Sequence, residues 1–510
     1  SDDEVLNNYI TDRPELDEML ELQKRNDVLS SDTGDISLQK LVQQGKGVLS
    51  VIMDGGLESV WGVSTDTKTR HNVAEIIFRS PYGRAYDLKA TDITVRRQGT
   101  STSTYPVKNL RFELQKRTES KVYRNVGKGD KDVWELVEDR TYTMREGAKP
   151  MKLINIKVDY ADSSLQNNTG GAKLWNKLCT EIAELKTPAM QVDKSARSAL
   201  DGIACSVFTA GNSEEAQRFC GTAQFNNDKS KSGYIFGQSK KDGTEIALEG
   251  INNTNAVANF KFTEDVATQL AKSDANGFDA SFEFLYPEKD YEWNGKTPET
   301  TAPDNIKQAV IRLMQFVKDC TPQGVDPSRM STDEVKARFK SDKFKREVSQ
   351  YFSVANLCAW YVWTDYLMAV DQRAKNTFLR TWDGRVWWYT YYDGDTAMGK
   401  RNDAMLAYDY SLSRDTFDAE RSKYAFEGHN SILWCLVLAN LEVEMKGIAQ
   451  KMRSVLTNKT ATEYLNSPLR DWAERTHNKS NIVKYLKPTY TDYNGKGTMN
   501  YVFALDGTME

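Results

Sequence analysis

Between Gly47 and Val158 the chain carries short apolar strand-type segments, among them the alternating Leu110–Leu114, whereas after Pro303 the apolar spacing is mostly helical. This change of pattern constrains the fold of the 510-residue chain more than any other feature. Strand signals run through VLSVIM (48–53), AEIIF (Ala74–Phe78), ITV (Ile93–Val95), LRFEL (Leu110–Leu114) and MKLINIKV (Met151–Val158), with a Lys/Gly-rich turn at Gly127–Asp130. Alternation punctuated by turns reads as an antiparallel sheet with hairpins. Helical spacing first shows at Ala172–Leu185, where Leu174, Leu178, Ile182 and Leu185 share a face. Residues 205–260 return to strand and turn chemistry. Helices are then expected over Asn305–Cys320, Thr332–Tyr351 and Val354–Met368, followed by a hairpin turning at Asp383–Gly384 and long helices around Ser431–Val455. A β-rich first half and an α-rich second half imply an α+β, two-lobed architecture. The expected parts are an N-terminal helical arm over 1–45, a β-rich lobe over 46–300 and a mainly helical lobe over 301–510.

Charge and cysteine usage narrow the partners. With 68 Lys+Arg against 72 Asp+Glu the net charge is −4, which gives no general attraction to nucleic acid or anionic membrane. The longest apolar run, Ile432–Ala439, falls well short of the roughly 20 residues that span a bilayer. No basic–apolar–small leader stands at the start, which is Ser1. The six cysteines are scattered without a C-x-x-C pair, and there are three histidines, so buried free thiols are expected rather than a zinc site. The Trp/Tyr groups at Trp360–Trp363 and Trp387–Tyr392 read as core, and the Lys336–Lys345 charge run as a solvated helix face.

Three segments carry chemistry. Asp371 and Asn376 stand five apart on a turn after an apolar helix. A carboxylate there can accept a hydroxyl proton while the amide oxygen binds a metal, the D-x-x-x-x-N spacing of phosphoryl transfer in protein kinases. Second, the aromatic strand Trp387–Tyr392 delivers Asp393, Gly394 and Asp395, and hard cations such as magnesium take one or two carboxylates plus substrate phosphates. The expected hairpin folds these two motifs towards each other. Third, a small hydroxyl-rich loop from Gly99 through Ser101 to Thr104 lies between Arg97 and Lys108. Such loops let backbone N–H groups approach phosphate oxygens, with Lys as a point charge.

These segments, in this order, resemble the CotH family of spore-coat and surface kinase-like proteins. The family's R-G-N-S-S…P-K-K-x-Y-R stretch is matched by Gly99–Thr100–Ser101 and Pro106–Arg111. Its K-x-D-Y-A-(D/E)-S-S…N-T-G stretch is matched by Lys157, Asp159–Ser164 and Asn168–Thr169–Gly170. Its N-x-D-x-x-x-K-N-F and W-D-x-D…G blocks are matched by Asp371…Lys375–Phe378 and Tyr392–Asp395…Gly399. Tyr392 stands where the family has Trp, Val107 where it has the first of two lysines, and no Arg follows the Asp162 block. The resemblance implies a two-lobed protein-kinase-like fold that uses ATP and Mg²⁺ or Mn²⁺ to phosphorylate Ser or Thr of a protein substrate. In that reading Arg97, Gly99, Ser101 and Lys108 meet the nucleotide, Asp371 is the catalytic acid–base residue, and Asn376 with Asp393 or Asp395 holds metal. Glu181 or Glu184 is the expected partner of Lys108. The stretches Gly221–Ser230 and Ile251–Thr254 further resemble CotH-type domains of tailed-phage and gut-bacterial surface proteins. That similarity implies a virion or cell-surface setting, neighbouring subunits of a larger assembly, and a non-catalytic structural protein of a phage virion or tail as the alternative. A carbohydrate-binding surface protein using exposed aromatic residues is the third reading.

Overall fold

The computed structural model describes residues 38–465 apart from 44, 46, 62–63, 100–107, 159–166, 230–232, 235–243, 251–258, 273–277, 279–281, 288–301, 328–329, 370–371, 374–375, 395–396 and 398–430. Most of the expected N-terminal arm therefore lies outside the described residues, as do Ser101, Asp371, Asp395 and the Asp159–Ser164 block. The strands are β1 (Gly47–Ile52), β2 (His71–Arg79), β3 (Leu88–Gln98), β4 (Asn109–Glu113), β5 (Lys121–Asn125), β6 (Trp134–Leu136), β7 (Leu153–Lys157), β8 (Gly202–Ala210), β9 (Arg218–Asn226), β10 (Ile246–Gly250), β11 (Phe282–Tyr286), β12 (Thr377–Thr381) and β13 (Trp388–Thr390).

Seven of these strands close a barrel in the order β2-β1-β8-β9-β7-β4-β3, with β3 returning to β2. Every neighbouring pair is antiparallel except β1 and β8, which run parallel with Gly47 opposite Cys205. The long β3 makes closure possible. One of its edges pairs with β2, while the other pairs with β5 at Leu88–Thr91 and switches to β4 at Thr94–Gln98. The two-lobed protein-kinase-like expectation is thereby corrected, because the β-rich half is a closed mixed barrel. The physical reason is that alternation reports which face of a strand is buried, not which strand lies beside it. The pairing of β1 with β8 joins segments far apart in sequence and leaves no local trace.

Alternate residues fill the barrel: Leu49, Val51, Val95, Phe112, Ile154, Ile156 and Val207 are buried there, and Phe78 stacks on Phe225 at 3.9 Å. The opposite positions of β7 and β9 point out of the barrel, yet Asn155, Lys157, Gln224 and Asn226 are at most 5% exposed. A polar outer wall this deeply covered has a second layer packed on it. That layer includes the helix Asn167–Glu181 and a four-stranded sheet, β11-β10-β12-β13. All its pairings are antiparallel, and it joins strands from either side of residue 300.

The helices Asp304–Cys320, Val354–Tyr366, Ile432–Asn440 and Glu442–Val455 share one hydrophobic core with this sheet. Val354–Tyr366 is apolar on most faces because it is enclosed; Trp360 and Trp363 are fully buried, and Trp360 meets Trp175 edge-on at 5.1 Å. The continuous helix expected over Thr332–Tyr351 is instead Thr332–Arg338, Asp342–Glu347 and a 3-10 turn at Val348–Gln350. Ser341 causes the break, since its hydroxyl accepts the Phe344 N–H and starts a new helix. All six cysteines are buried and free. Among the described residues no helix is long and apolar enough to cross a membrane.

Candidate functional site

The two acid-bearing turns are built by their aromatic neighbours. After residue 371, Gln372 and Arg373 are buried, and Trp360 Nε1 donates to Gln372 O at 3.0 Å while Trp434 Nε1 donates to Arg373 O at 2.9 Å. The Arg373 guanidinium donates to Thr364 Oγ1 (2.8 Å), Tyr361 O (3.0 Å) and Asp365 Oδ1 (2.9 Å), and lies over the Tyr361 ring. The turn is thus clamped to the helix before it. Asn376 follows with φ 52° and leads into β12.

The β12–β13 hairpin turns at Gly384, whose φ of 72° suits glycine, and brings Asp393 back to this place. Gln372 Nε2 donates to Asp393 O at 2.7 Å, so the two turns meet. Asp393 has φ 56°, and the following Gly394 N–H donates to Asn168 Oδ1 at 3.3 Å. Asp393 Oδ1 lies 3.5 Å from Lys157 Nζ at the end of β7. Two expected site residues, Asn376 and Asp393, therefore occupy the left-handed region that non-glycine residues seldom adopt.

The site lies in the seam between the outer barrel wall and the second sheet. Lys157 and Lys229 both stand over the Tyr392 ring, 5.5 and 5.6 Å from its centre. Burial pushes the Tyr392 hydroxyl up, Lys157 opposes this, Asp393 adds to it and Lys229 opposes it. Burial alone would lower Lys229, but Glu249 at 2.7 Å outweighs it and holds the ammonium above its ordinary value. Arg380 is fully buried over the Tyr234 ring and donates to Thr390 Oγ1 at 2.9 Å. Four buried polar atoms here, Thr169 Oγ1, Asn226 Oδ1, Asn226 Nδ2 and Gln372 Oε1, have no hydrogen-bond partner among the described residues. Thr169 and Asn226 both lie against Gly202, whose lack of a side chain admits the Asn226 amide: a Cβ there would sit 2.3 Å from Asn226 Oδ1.

The other expected residues are placed differently. Arg97 Nε donates to Val60 O at 2.6 Å, and Gly99 has φ 111°, a conformation other residues rarely adopt. Lys108 is buried just before β4, in register with the inward-facing Leu110 and Phe112. Burial, helped by Arg97, pushes its ammonium down to about 8 from 10.5. Glu181 and Glu184 pair with Lys177 and Lys451 rather than with Lys108. The lowered Lys108 gives a stability prediction. Between about 8 and 10.5 the unfolded chain binds this proton and the folded chain does not, so this group's contribution to stability rises with pH across that window. Lys108→Met is therefore expected to melt above the wild type at pH 7, with the gap closing towards pH 10. Thermal melts across that range check it, and a variant that melts lower at pH 7 would contradict a burial-dominated lysine.

In the sequence Lys157 and Thr169 stand out only as parts of a matched block, and nothing there gives a role to Gln372, Asn226 or Lys229. A lysine at the end of an otherwise apolar strand, MKLINIK, is the one signal available for Lys157. As metal donors the described residues supply Asp393 and Asn376; no group of three His, Cys, Asp or Glu side chains gathers among the described residues. That set does not by itself make a metal site. Compared with known proteins, the chain matches no protein-family model and no curated sequence.

Proposed function

We propose that the chain binds the phosphates of a nucleoside triphosphate in this seam and transfers the terminal phosphoryl group to a Ser or Thr hydroxyl of a protein, within a phage or cell-surface assembly. The observation that carries this is the set of unpartnered buried atoms of Thr169, Asn226 and Gln372 around the Lys157–Asp393 pair. A buried polar group without a partner costs about 1–3 kcal/mol. Retaining several together suits a site whose ligand supplies the missing partners. The donors on hand, the Lys157 ammonium, the Thr169 hydroxyl and the Asn226 amide N–H, match phosphate oxygens, while the amide oxygens of Asn226 and Gln372 call for a donor such as a hydroxyl.

In the transfer, the acceptor Oγ forms a bond to phosphorus as the bridging bond to the nucleoside diphosphate breaks. The acceptor proton passes to a carboxylate, the role the resemblance gives to Asp371. Asp393 and Asn376 are the described residues that would hold the Mg²⁺ or Mn²⁺ the resemblance implies, and the ion would supply neutralisation of phosphate charge.

The test is direct. Addition of ATP with Mg²⁺ is expected to raise the melting temperature, since ligand at 100 times its Kd stabilises by about 2.7 kcal/mol. Asp371→Ala is expected to keep that shift and lose phosphoryl transfer to a protein acceptor. A second reading rests on the same Lys157–Asp393 contact and on the Asn168–Gly394 hydrogen bond. Both also serve as interior staples, as a non-catalytic structural subunit needs. Absence of any ATP-induced shift in well-folded protein favours that reading and ends the first.

A further inference from the structure

A second concavity lies along the helix Asn167–Glu181. It has a volume of about 370 Å³ and is lined by Tyr82, Lys173, Asn176, Arg197, Asp201 and Tyr464, among others. Small-ligand sites fall in the range of roughly 300–1,000 Å³. Four separate pieces of chain build it: the β2–β3 connection, the helix Asn167–Glu181, the segment entering β8, and the helix Asn458–Leu465. The Tyr464 wall is fixed by close approach. A Cβ at Gly170 would lie 2.5 Å from the Tyr464 carbonyl oxygen, so glycine lets the two helices touch there.

The charges around it do not balance. Asp201 Oδ2 accepts from Arg145 Nε at 2.5 Å, and Glu181 is taken by Lys177. Arg197 Nε lies 3.4 Å from the same Asp201 oxygen, but it makes no hydrogen bond among the described residues and is buried. Lys173 is exposed on the same helix, one turn before Lys177. Three carboxylates, Asp201, Glu181 and Glu463, thus answer Arg145, Lys173, Lys177 and Arg197, and Arg197 Nε makes no hydrogen bond among the described residues. Tyr82, 46% exposed, offers an aromatic face beside them.

We propose that this cavity is a binding site for a small anionic ligand, its phosphate or carboxylate held by Arg197 and Lys173 and its ring-sized body lying against Tyr82 and Tyr464. An anion in the cavity meets the exposed part of the Arg197 side chain, which is 32% exposed, together with Lys173, and offsets the surplus positive charge. Charge-assisted hydrogen bonds of this kind are the strong ones, and Arg is suited to planar oxyanions.

Calorimetric titration of the full chain with phenyl phosphate, benzoate and inorganic phosphate tests this. Phenyl phosphate or benzoate is expected to bind more tightly than inorganic phosphate, which lacks the ring. Whichever head group binds better names the source of the anion. Arg197→Gln and Lys173→Glu are each expected to weaken binding about tenfold or more, the scale of one charged hydrogen bond. Lys173 is exposed on its helix, so Lys173→Glu is expected to keep the fold, as thermal melts check, and keeps the test informative should Arg197→Gln unfold. Lys157→Met weakens phosphate binding in the seam, so the control is read with benzoate, which this variant is expected to bind as the wild type does. The proposal is overturned if no probe binds at millimolar concentration, if Lys173→Glu binds as the wild type does, or if Lys157→Met abolishes benzoate binding.

Discussion

Gly394→Ala is expected to lower the melting temperature by several degrees and to be the most damaging single-methyl addition in the site. An alanine Cβ at this position would lie 1.7 Å from the Tyr391 hydroxyl and 2.6 Å from its Cζ. The ring cannot swing away, because it is fully buried and meets Trp360 and Trp363 edge-on at 6.1 and 5.9 Å. Nor can its backbone shift. Tyr391 N–H donates to Ser198 O at 2.9 Å, and Tyr391 O accepts from Leu200 N–H at 3.1 Å and from the Tyr234 hydroxyl at 3.0 Å. The strain falls instead on the turn that carries Asp393, where the hydrogen bond from Gly394 N–H to Asn168 is the first to break. The cost belongs at the upper end of the roughly 1–3 kcal/mol usual for overpacking. Adding Tyr391→Phe is expected to restore little, because removing the hydroxyl leaves the ring carbon at 2.6 Å from the new methyl. Thermal melts of the single and double variants decide it. A Gly394→Ala protein that melts with the wild type would show that Gly394 does not pack against the Tyr391 hydroxyl.

The same tyrosine shows what the sequence made legible and what it did not. The aromatic strand and the acids that follow it stand out as a unit, and their burial follows from a helix and two strands packing together. The hairpin of β12 and β13 is equally readable, because Asp383–Gly384 is turn chemistry between two strand-like runs. Gly171 is different: a Cβ there would sit 2.4 Å from the Tyr391 hydroxyl, so Gly171 and Gly394 flank one oxygen from distant parts of the chain. No local pattern predicts that meeting. Barrel closure is hidden for a similar reason. The outward Asn155, Lys157, Gln224 and Asn226 have the polarity of a solvated strand face and are nonetheless buried. Alternation cannot distinguish water from a covering layer, so the seam that gathers Lys157, Asn168, Gln372 and Asp393 is visible in the sequence only as separate motifs. Lys108, expected at the nucleotide, shares the inward register of β4, which one residue of offset decides.

Asp393→Asn is expected to separate binding from transfer. The substitution keeps the shape of the side chain and its backbone contact with Gln372, but removes the carboxylate 3.5 Å from Lys157 Nζ. Lys157 is 6% exposed at its side chain and Asp393 19%, so the ammonium stays in the seam with its charge less compensated. Losing one member of a buried pair costs roughly 3–5 kcal/mol, and the partial exposure of Asp393 places this case near the lower end. Lys157→Met incurs a comparable loss, while the double variant is expected to cost less than the sum by about 1–3 kcal/mol, the coupling of residues in direct contact. Ligand binding gives the second reading of the same cycle. With its carboxylate gone, the seam repels anions less, so Asp393→Asn should bind inorganic phosphate more tightly than the wild type. Lys157→Met should bind it more weakly, and transfer to a protein acceptor should be lost in both. If the stability coupling is present and neither variant changes phosphate affinity, Lys157 and Asp393 are a structural staple and the seam is not a phosphate site.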